Sequence, residues 1–134
     1  MSSTIIPTLR YRNAPRMIDW LCETFGFARR LVVEDGADGI AHAQLTLGSG
    51  MIMLGSARDD AFGRLQGPPS AQGPTTESPY VVVPDADRVY EKAKAAGAEI
   101  VIEIRDEDYG GRHFSCRDPE GHLWNVGSYD PWAG

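Results

Sequence analysis

Between Gly111 and Val126 the chain carries His113, Cys116, Asp118, Glu120 and His122. Each of these side chains can hold a metal or move a proton. Their order argues for something quieter. In Asp118-Pro119-Glu120-Gly121 the Asp can accept a backbone N–H, the Pro presets φ, and the Gly lets the chain leave the turn. Asp118 and Glu120 therefore read as turn residues rather than an acid–base pair. His113 and His122 flank the hairpin, and two imidazoles without a third ligand make a poor zinc site. Cys116 shares its parity with Phe114 and points to the core. No Gly-x-Ser-x-Gly elbow and no phosphate-binding loop occurs. No residue is assigned to catalysis. His113 reads as a hydrogen-bonding residue of a pocket, and His42 as structural.

The elements that must position these residues belong to a chain of 134 residues, 42% apolar and 24% charged, long enough for one compact domain with a real core. The net charge of −6 repels phosphate backbones, and Arg29-Arg30 is no basic patch, so nucleic acid is not an expected partner. No apolar run approaches the roughly 18 residues that span a bilayer. The segment "MSSTIIPTLRYR" lacks the basic leader of a signal peptide. A cytoplasmic protein with no membrane partner is expected. Cys22 and Cys116 form no Cys-x-x-Cys pair, and both read as small buried apolar residues.

Alternation and turn chemistry give the elements. "TIIPTLRY" (4–11) reads as a strand. Asn13 is placed to cap a helix whose apolar face is Ile18, Leu21, Cys22 and Phe25, and Gly26 to end it. "ARRLVVE", "IAHAQLTL" and "GMIMLGS" read as three strands joined by turns. Residues 57–77 are rich in Gly and Pro and lack periodicity, as a linker or lid does. Then the order restarts. "SPYVVV" reads as a strand, and Asp85 caps a helix with Ala86, Val89, Tyr90 and Ala93 on one face. Gly97 ends that helix, and "AEIVIEI", "HFSC" and "HLWNVGS" follow as strands.

The two halves keep register. Asn13 and Asp85 stand 72 positions apart, Gly26 and Gly97 stand 71, as do His42 and His113, and the Gly-Ser pairs at 55–56 and 127–128 stand 72. Residues with defined backbone tasks recur at one period, which is the mark of an internal duplication. The expected fold class is α+β, with two tandem βαβββ repeats, repeat 1 over 4–56 and repeat 2 over 78–128, in a single domain 1–134. Each repeat carries a helix on one sheet face. Paired, the repeats would form a curved mixed sheet around a central cavity, helices on the outer face.

On that frame, "DWLCETFGF" (19–27), "HAQLTLGSGMIML" (42–54) and above all "YGGRHFSCRDPEGHLWNVG" (109–127) resemble the vicinal oxygen chelate superfamily, in its glyoxalase/bleomycin-resistance/dioxygenase branch. The resemblance covers essentially the whole chain. It implies small-molecule binding, commonly a homodimer, and, in many relatives, a metal held by one ligand from the first and last strand of each repeat, typically His and Glu. Aligned on the helix starts and turns, those four positions become Ile6, Met53, Ser78 and Asn125. None of the four supplies the imidazole or negative charge of a stable divalent site. A slip of one residue brings in only Glu77. The resemblance therefore implies no metal and no cofactor here.

By alternation, Thr8 and Arg10 join Ile6, Met51 joins Met53, Tyr80 joins Ser78, and Leu123 joins Asn125 on the inner face. Trp124 points the other way, into the core. The candidate ligand-binding set is Ile6, Thr8, Met53, Ser78, Tyr80, Tyr109, His113 and Asn125, with Tyr80 the leading recognition residue and Arg112 a further loop residue near the pocket. The expected partner is a small organic molecule, sequestered or altered without metal. The alternative is a metal-dependent lyase, isomerase or dioxygenase with ligands relocated to His113, His122, Glu77 or Glu103.

Overall fold

A computed structural model of the chain describes residues 2–69 and 73–133, so part of the 57–77 linker lies outside the described residues. The elements run β1 (Thr8–Tyr11), α1 (Ala14–Phe25), β2 (Ala28–Glu34), β3 (Ile40–Leu47) and β4 (Gly50–Ser56). They continue with β5 (Tyr80–Val82), α2 (Ala86–Ala95), β6 (Glu99–Asp106), β7 (Arg112–Arg117) and β8 (Leu123–Gly127). The chain forms two compact units, Met1–Pro68 and Pro69–Gly134, and each holds one βαβββ set. Each sheet is mixed and open, in the order β1-β4-β3-β2 in the first unit and β5-β8-β7-β6 in the second.

Both helices start where their caps dictate. The Asn13 side chain accepts from Arg16 N, and the Asp85 side chain accepts from Arg88 N, which satisfies amides with no intrahelical partner. Gly26 ends α1 in the left-handed region at φ 92, where other residues are strained. The faces expected to be apolar are buried, with Val89 half-buried and Cys22 only half-buried rather than core.

The first strand of each unit is shorter than the sequence pattern implies. β1 opens at Thr8 and β5 at Tyr80, because the preceding Pro7 and Pro79 have no N–H for a ladder. Their carbonyls still work. Met53 N donates to Pro7 O at 2.9 Å and Asn125 N to Pro79 O at 3.0 Å. These bonds begin the parallel registers Thr8↔Met53 and Tyr80↔Asn125, again 72 positions apart. Ile6 and Ser78 therefore lie just ahead of their strands rather than within them.

Register then sorts the side chains. In the first unit Leu9, Tyr11, Ala43, Leu45, Ile52 and Leu54 are buried on the face that receives Met17, Ile18, Leu21 and Phe25 of α1. In the second, Val81, Phe114, Cys116, Trp124 and Val126 are buried on the face of α2, whose Tyr90 meets Phe114 edge to face at 5.3 Å. Alternate residues face away from the helices.

The Asp118 turn has more to hold than its own backbone. Asp118 Oδ1 accepts from Glu120 N (3.0 Å) and His122 N (3.1 Å), as turn chemistry requires. Its Oδ2 accepts from Trp124 Nε1 at 3.0 Å. Trp124 is 0% exposed and Asp118 4%, so the indole N–H has no recourse to water. Asp118→Ala leaves that donor buried without an acceptor and strips the turn of two more bonds. A loss of about 2–3 kcal/mol is expected by urea denaturation, with Asp118→Asn milder. A loss below about 0.5 kcal/mol would contradict this account of the turn.

Candidate functional site

The helix-free face of the second sheet gathers most of the polar residues singled out in the sequence. Asn125, at the centre of β8, donates through Nδ2 to Ser78 Oγ at 2.7 Å and to Pro79 O at 3.2 Å. A proline carbonyl can only accept, so the amide NH2 must face it, which settles the orientation of the side chain. The carboxamide oxygen then accepts from Ser115 Oγ at 2.8 Å. Ser115 has one proton and gives it to Asn125. Its 3.3 Å contact with His113 Nε2 is consequently an N–H donated by the imidazole. Nδ1 of His113 lies 3.3 Å from Glu107 Oε1 but off the line of a hydrogen bond, and it is buried without such a partner. Glu107 also accepts from Arg105 Nε at 3.0 Å.

The order Glu107, His113, Ser115 follows the connectivity of a hydrolase triad, but the chemistry does not. Ser115 is 1% exposed and its proton is committed to Asn125, so it is neither reachable nor activated. Cys116, on the opposite face, is fully buried, and burial pushes its thiol up to about 12. It is no nucleophile at neutral pH. The hydrogen-bonded chain from Ser78 through Asn125 and Ser115 to His113 is a brace beneath two rings.

Those rings are Tyr80 and His113, stacked with centroids 6.4 Å apart and planes at 29°. Tyr80 reaches over β8 and donates its hydroxyl to Tyr129 O at 2.7 Å. Tyr129 in turn meets the exposed Tyr109 edge to face at 5.0 Å. Burial, followed by the negative charge of Tyr109, Tyr129, Asp130 and Glu107, raises the Tyr80 pKa. Space for Tyr80 comes from Gly127, where a Cβ would sit 2.6 Å from the phenol oxygen and 3.1 Å from Arg112 O. The adjoining Ser128 Oγ accepts from Arg112 N at 3.0 Å. The Gly-Ser pair of the first unit has the same tasks. Ser56 Oγ accepts from Ile40 N at 2.8 Å, and Gly55 leaves room for the Arg10 guanidinium, which lies 5.1 Å from the Phe62 ring centroid.

In the first unit Thr8 pairs with Met53, Gln44 lies beside Met53 in the register, and Gln44 Nε2 meets His42 Nε2 at 3.1 Å. Ile6 and Met53 are half-buried and offer no metal ligand. The first half of the linker is more than a tether. Gln66 donates to Thr8 O at 2.8 Å, on the edge of β1 that does not pair with β4.

Several expected placements change. His113 pairs with Gly127 and His122 sits at the turn, at opposite ends of the β7–β8 hairpin, so the two imidazoles do not approach along it. Glu103 bonds to the Tyr90 hydroxyl of α2, on the helix side. Among the described residues no three His, Cys, Asp or Glu side chains come together as a metal cluster. Arg112 is engaged by Asp87 through Nε (2.9 Å) and Nη2 (3.0 Å) and by Asp106 through Nη1 (3.1 Å). It fastens α2 to the sheet and is not a loop residue waiting for a ligand. Ser115, Glu107 and Tyr129 were not among the sequence candidates. The i, i+2 spacing of His113 and Ser115 on one strand face was the available signal for the first.

A divalent ion does not fit at Asn125. Both of its amide hydrogens are committed to Ser78 and Pro79, its oxygen accepts from Ser115, and its nitrogen, which cannot ligate, faces the strand that would bring a second ligand.

If Gly127 exists to admit Tyr80, Gly127→Ala should destabilise the protein by about 1–3 kcal/mol, and by distinctly less in a Tyr80→Ala background. The measurement is a double-mutant cycle in urea. Additive losses would show that the glycine serves some other contact.

A sequence profile of the Glyoxalase/Bleomycin resistance protein/Dioxygenase superfamily matches residues 5–126. An uncharacterized protein of Mycobacterium bovis is 30% identical over 122 residues, covering 90% of this chain and 80% of that one. The crystal structure of TioX from Micromonospora sp. ML1 superposes with a TM-score of 0.70 at 34% identity, covering 94% of this chain and 98% of TioX. The fosfomycin resistance protein FosX of Mesorhizobium loti shares the fold, with a TM-score of 0.66 at 15% identity over 99% of this chain and 97% of its own.

Proposed function

The chain belongs to the Glyoxalase/Bleomycin resistance protein/Dioxygenase superfamily, and from that membership we propose that it binds a small organic molecule without a metal. The ligand packs on the Tyr80–His113 surface of the second sheet. The bound molecule is sequestered, or altered by chemistry that needs no metal. The observation that carries this reading is the engagement of the Asn125 carboxamide by Ser78, Pro79 and Ser115, with its NH2 turned to Pro79. At the position where metal-using relatives are expected to carry an acid, this chain spends an amide, two serines and a backbone carbonyl on one another. A carboxylate there would face the Pro79 carbonyl, oxygen against oxygen. Within the first unit by itself, the corresponding positions Ile6, Thr8 and Met53 offer neither an imidazole nor a carboxylate to an ion.

Protein purified from medium supplemented with manganese and zinc should hold far less than one ion per chain by elemental analysis, and chelators should leave its melting temperature unchanged. A stoichiometric metal would overturn the reading. A library of uncharged aromatic and heterocyclic compounds should contain members that raise the melting temperature, and Tyr80→Ala should remove the rise.

A second copy of the chain is the expected partner. The terminal strand β2 is exposed along all seven residues, with Leu31 and Val33 on one face and Val32 on the other. β6 exposes Val101 and Ile102. Long apolar edge strands invite pairing with another chain unless something covers them. Light scattering should report twice the chain mass, and Val33→Lys should lower it. A wild-type monomer at high concentration would rule the dimer out. Among the described residues no helix is long and apolar enough to cross a membrane.

A further inference from the structure

We infer that the aromatic wall of the second unit selects an organic cation: a protonated or quaternary nitrogen carried on an aromatic body. This rests on the small-molecule reading of the same face and narrows it to one charge class. The wall is continuous. His113 stacks on Tyr80, the Tyr80 hydroxyl is tied to the Tyr129 backbone, and Tyr129 meets Tyr109. Tyr109 is 57% exposed and Tyr80 38%, so ring surface remains for a ligand. Aromatic faces carry negative potential and attract cations, most strongly when water is partly excluded.

The charges around the wall point the same way. Two carboxylates, Asp130 and Glu107, act on the Tyr80 hydroxyl through their charge. Glu107 is balanced by Arg105, which leaves Asp130 on the wall's side of the charge balance. The nearby cations are already spent: Arg105 on Glu107, and Arg112 on Asp87 and Asp106. An anionic ligand would have to break one of those pairs. Asp130 accepts the Trp132 backbone N–H at 2.9 Å and meets no cation among the described residues. The chain's net charge of −6 adds long-range attraction for a positive ligand.

Three probes of one shape separate charge from stacking: N-methylacridinium, acridine under conditions where it is neutral, and acridine carboxylate. Fluorescence titration of the full chain should show N-methylacridinium binding about tenfold or more tighter than the carboxylate, and several-fold tighter than acridine. Tyr109→Ala should remove most of that preference, and Tyr109→Phe, which keeps the ring, should retain it. Asp130→Asn should narrow it, and added salt should narrow it in the wild type but less in that variant. Equal binding of all three probes, or tighter binding of the carboxylate, overturns the inference and leaves the small-molecule reading standing. If no acridine binds while an uncharged compound stabilises the protein through Tyr80, the inference alone falls. If neither binds, both fall.

Discussion

The Asn125 carboxamide donates to the Pro79 carbonyl and the Ser78 hydroxyl, and an oxygen that can only accept decides which end of the amide faces it. The rest of the second unit's helix-free face follows in order. The amide oxygen takes the proton of Ser115, Ser115 takes the N–H of His113, and the fixed imidazole ring supports Tyr80. A buried polar group costs stability unless it is paired, so each member is held by the need to satisfy the one before it. Such a chain rigidifies the surface it supports.

The backbone of this arrangement was readable from the sequence because its determinants are local. Asn13 and Asp85 cap helices by reaching three residues along the chain. Gly26 ends a helix through its own φ. The period near 72 between Asn13 and Asp85, or between the two Gly-Ser pairs, reflects tasks that only a few residue types perform. Asp118-Pro119-Glu120-Gly121 was legible as a turn for the same reason.

What escaped the sequence depends on reach across strands. Glu107 leaves a loop whose course composition does not set, and it meets His113 from the side. Ser115 sits inside "HFSC", where a small polar residue between Phe114 and Cys116 passes for filler until the register places it opposite Asn125. Trp124 was legible as core, but its bond to Asp118 needed the geometry of the turn and the strand together. Pro7 and Pro79 were visible, yet their effect in shortening β1 and β5 while their carbonyls open the ladders is a property of pairing. Gln66 and Phe62 lie in a stretch without periodicity, and only folding brings them to Thr8 and Arg10.

The duplicated frame also shows how chemistry diverges without disturbing the fold. Gln44 and Met53 in the first unit correspond to Ser115 and Asn125 in the second, and Ile6 corresponds to Ser78. Met53 asks nothing of its neighbours, so Ile6 can be apolar and Gln44 can turn to His42. Asn125 has two donors and a carbonyl to satisfy, so Ser78 and Ser115 are hydroxyls. Exchanging one member alone would leave an amide unpaired in one unit or a hydroxyl without its acceptor in the other. The unit of change is therefore the trio, set by polar satisfaction across three neighbouring strands. The helix side, where Leu54 matches Val126 and Leu45 matches Cys116, changes only in volume. That asymmetry between a face that must pair and a face that must pack lets one βαβββ frame keep its core while the residues of its helix-free face change.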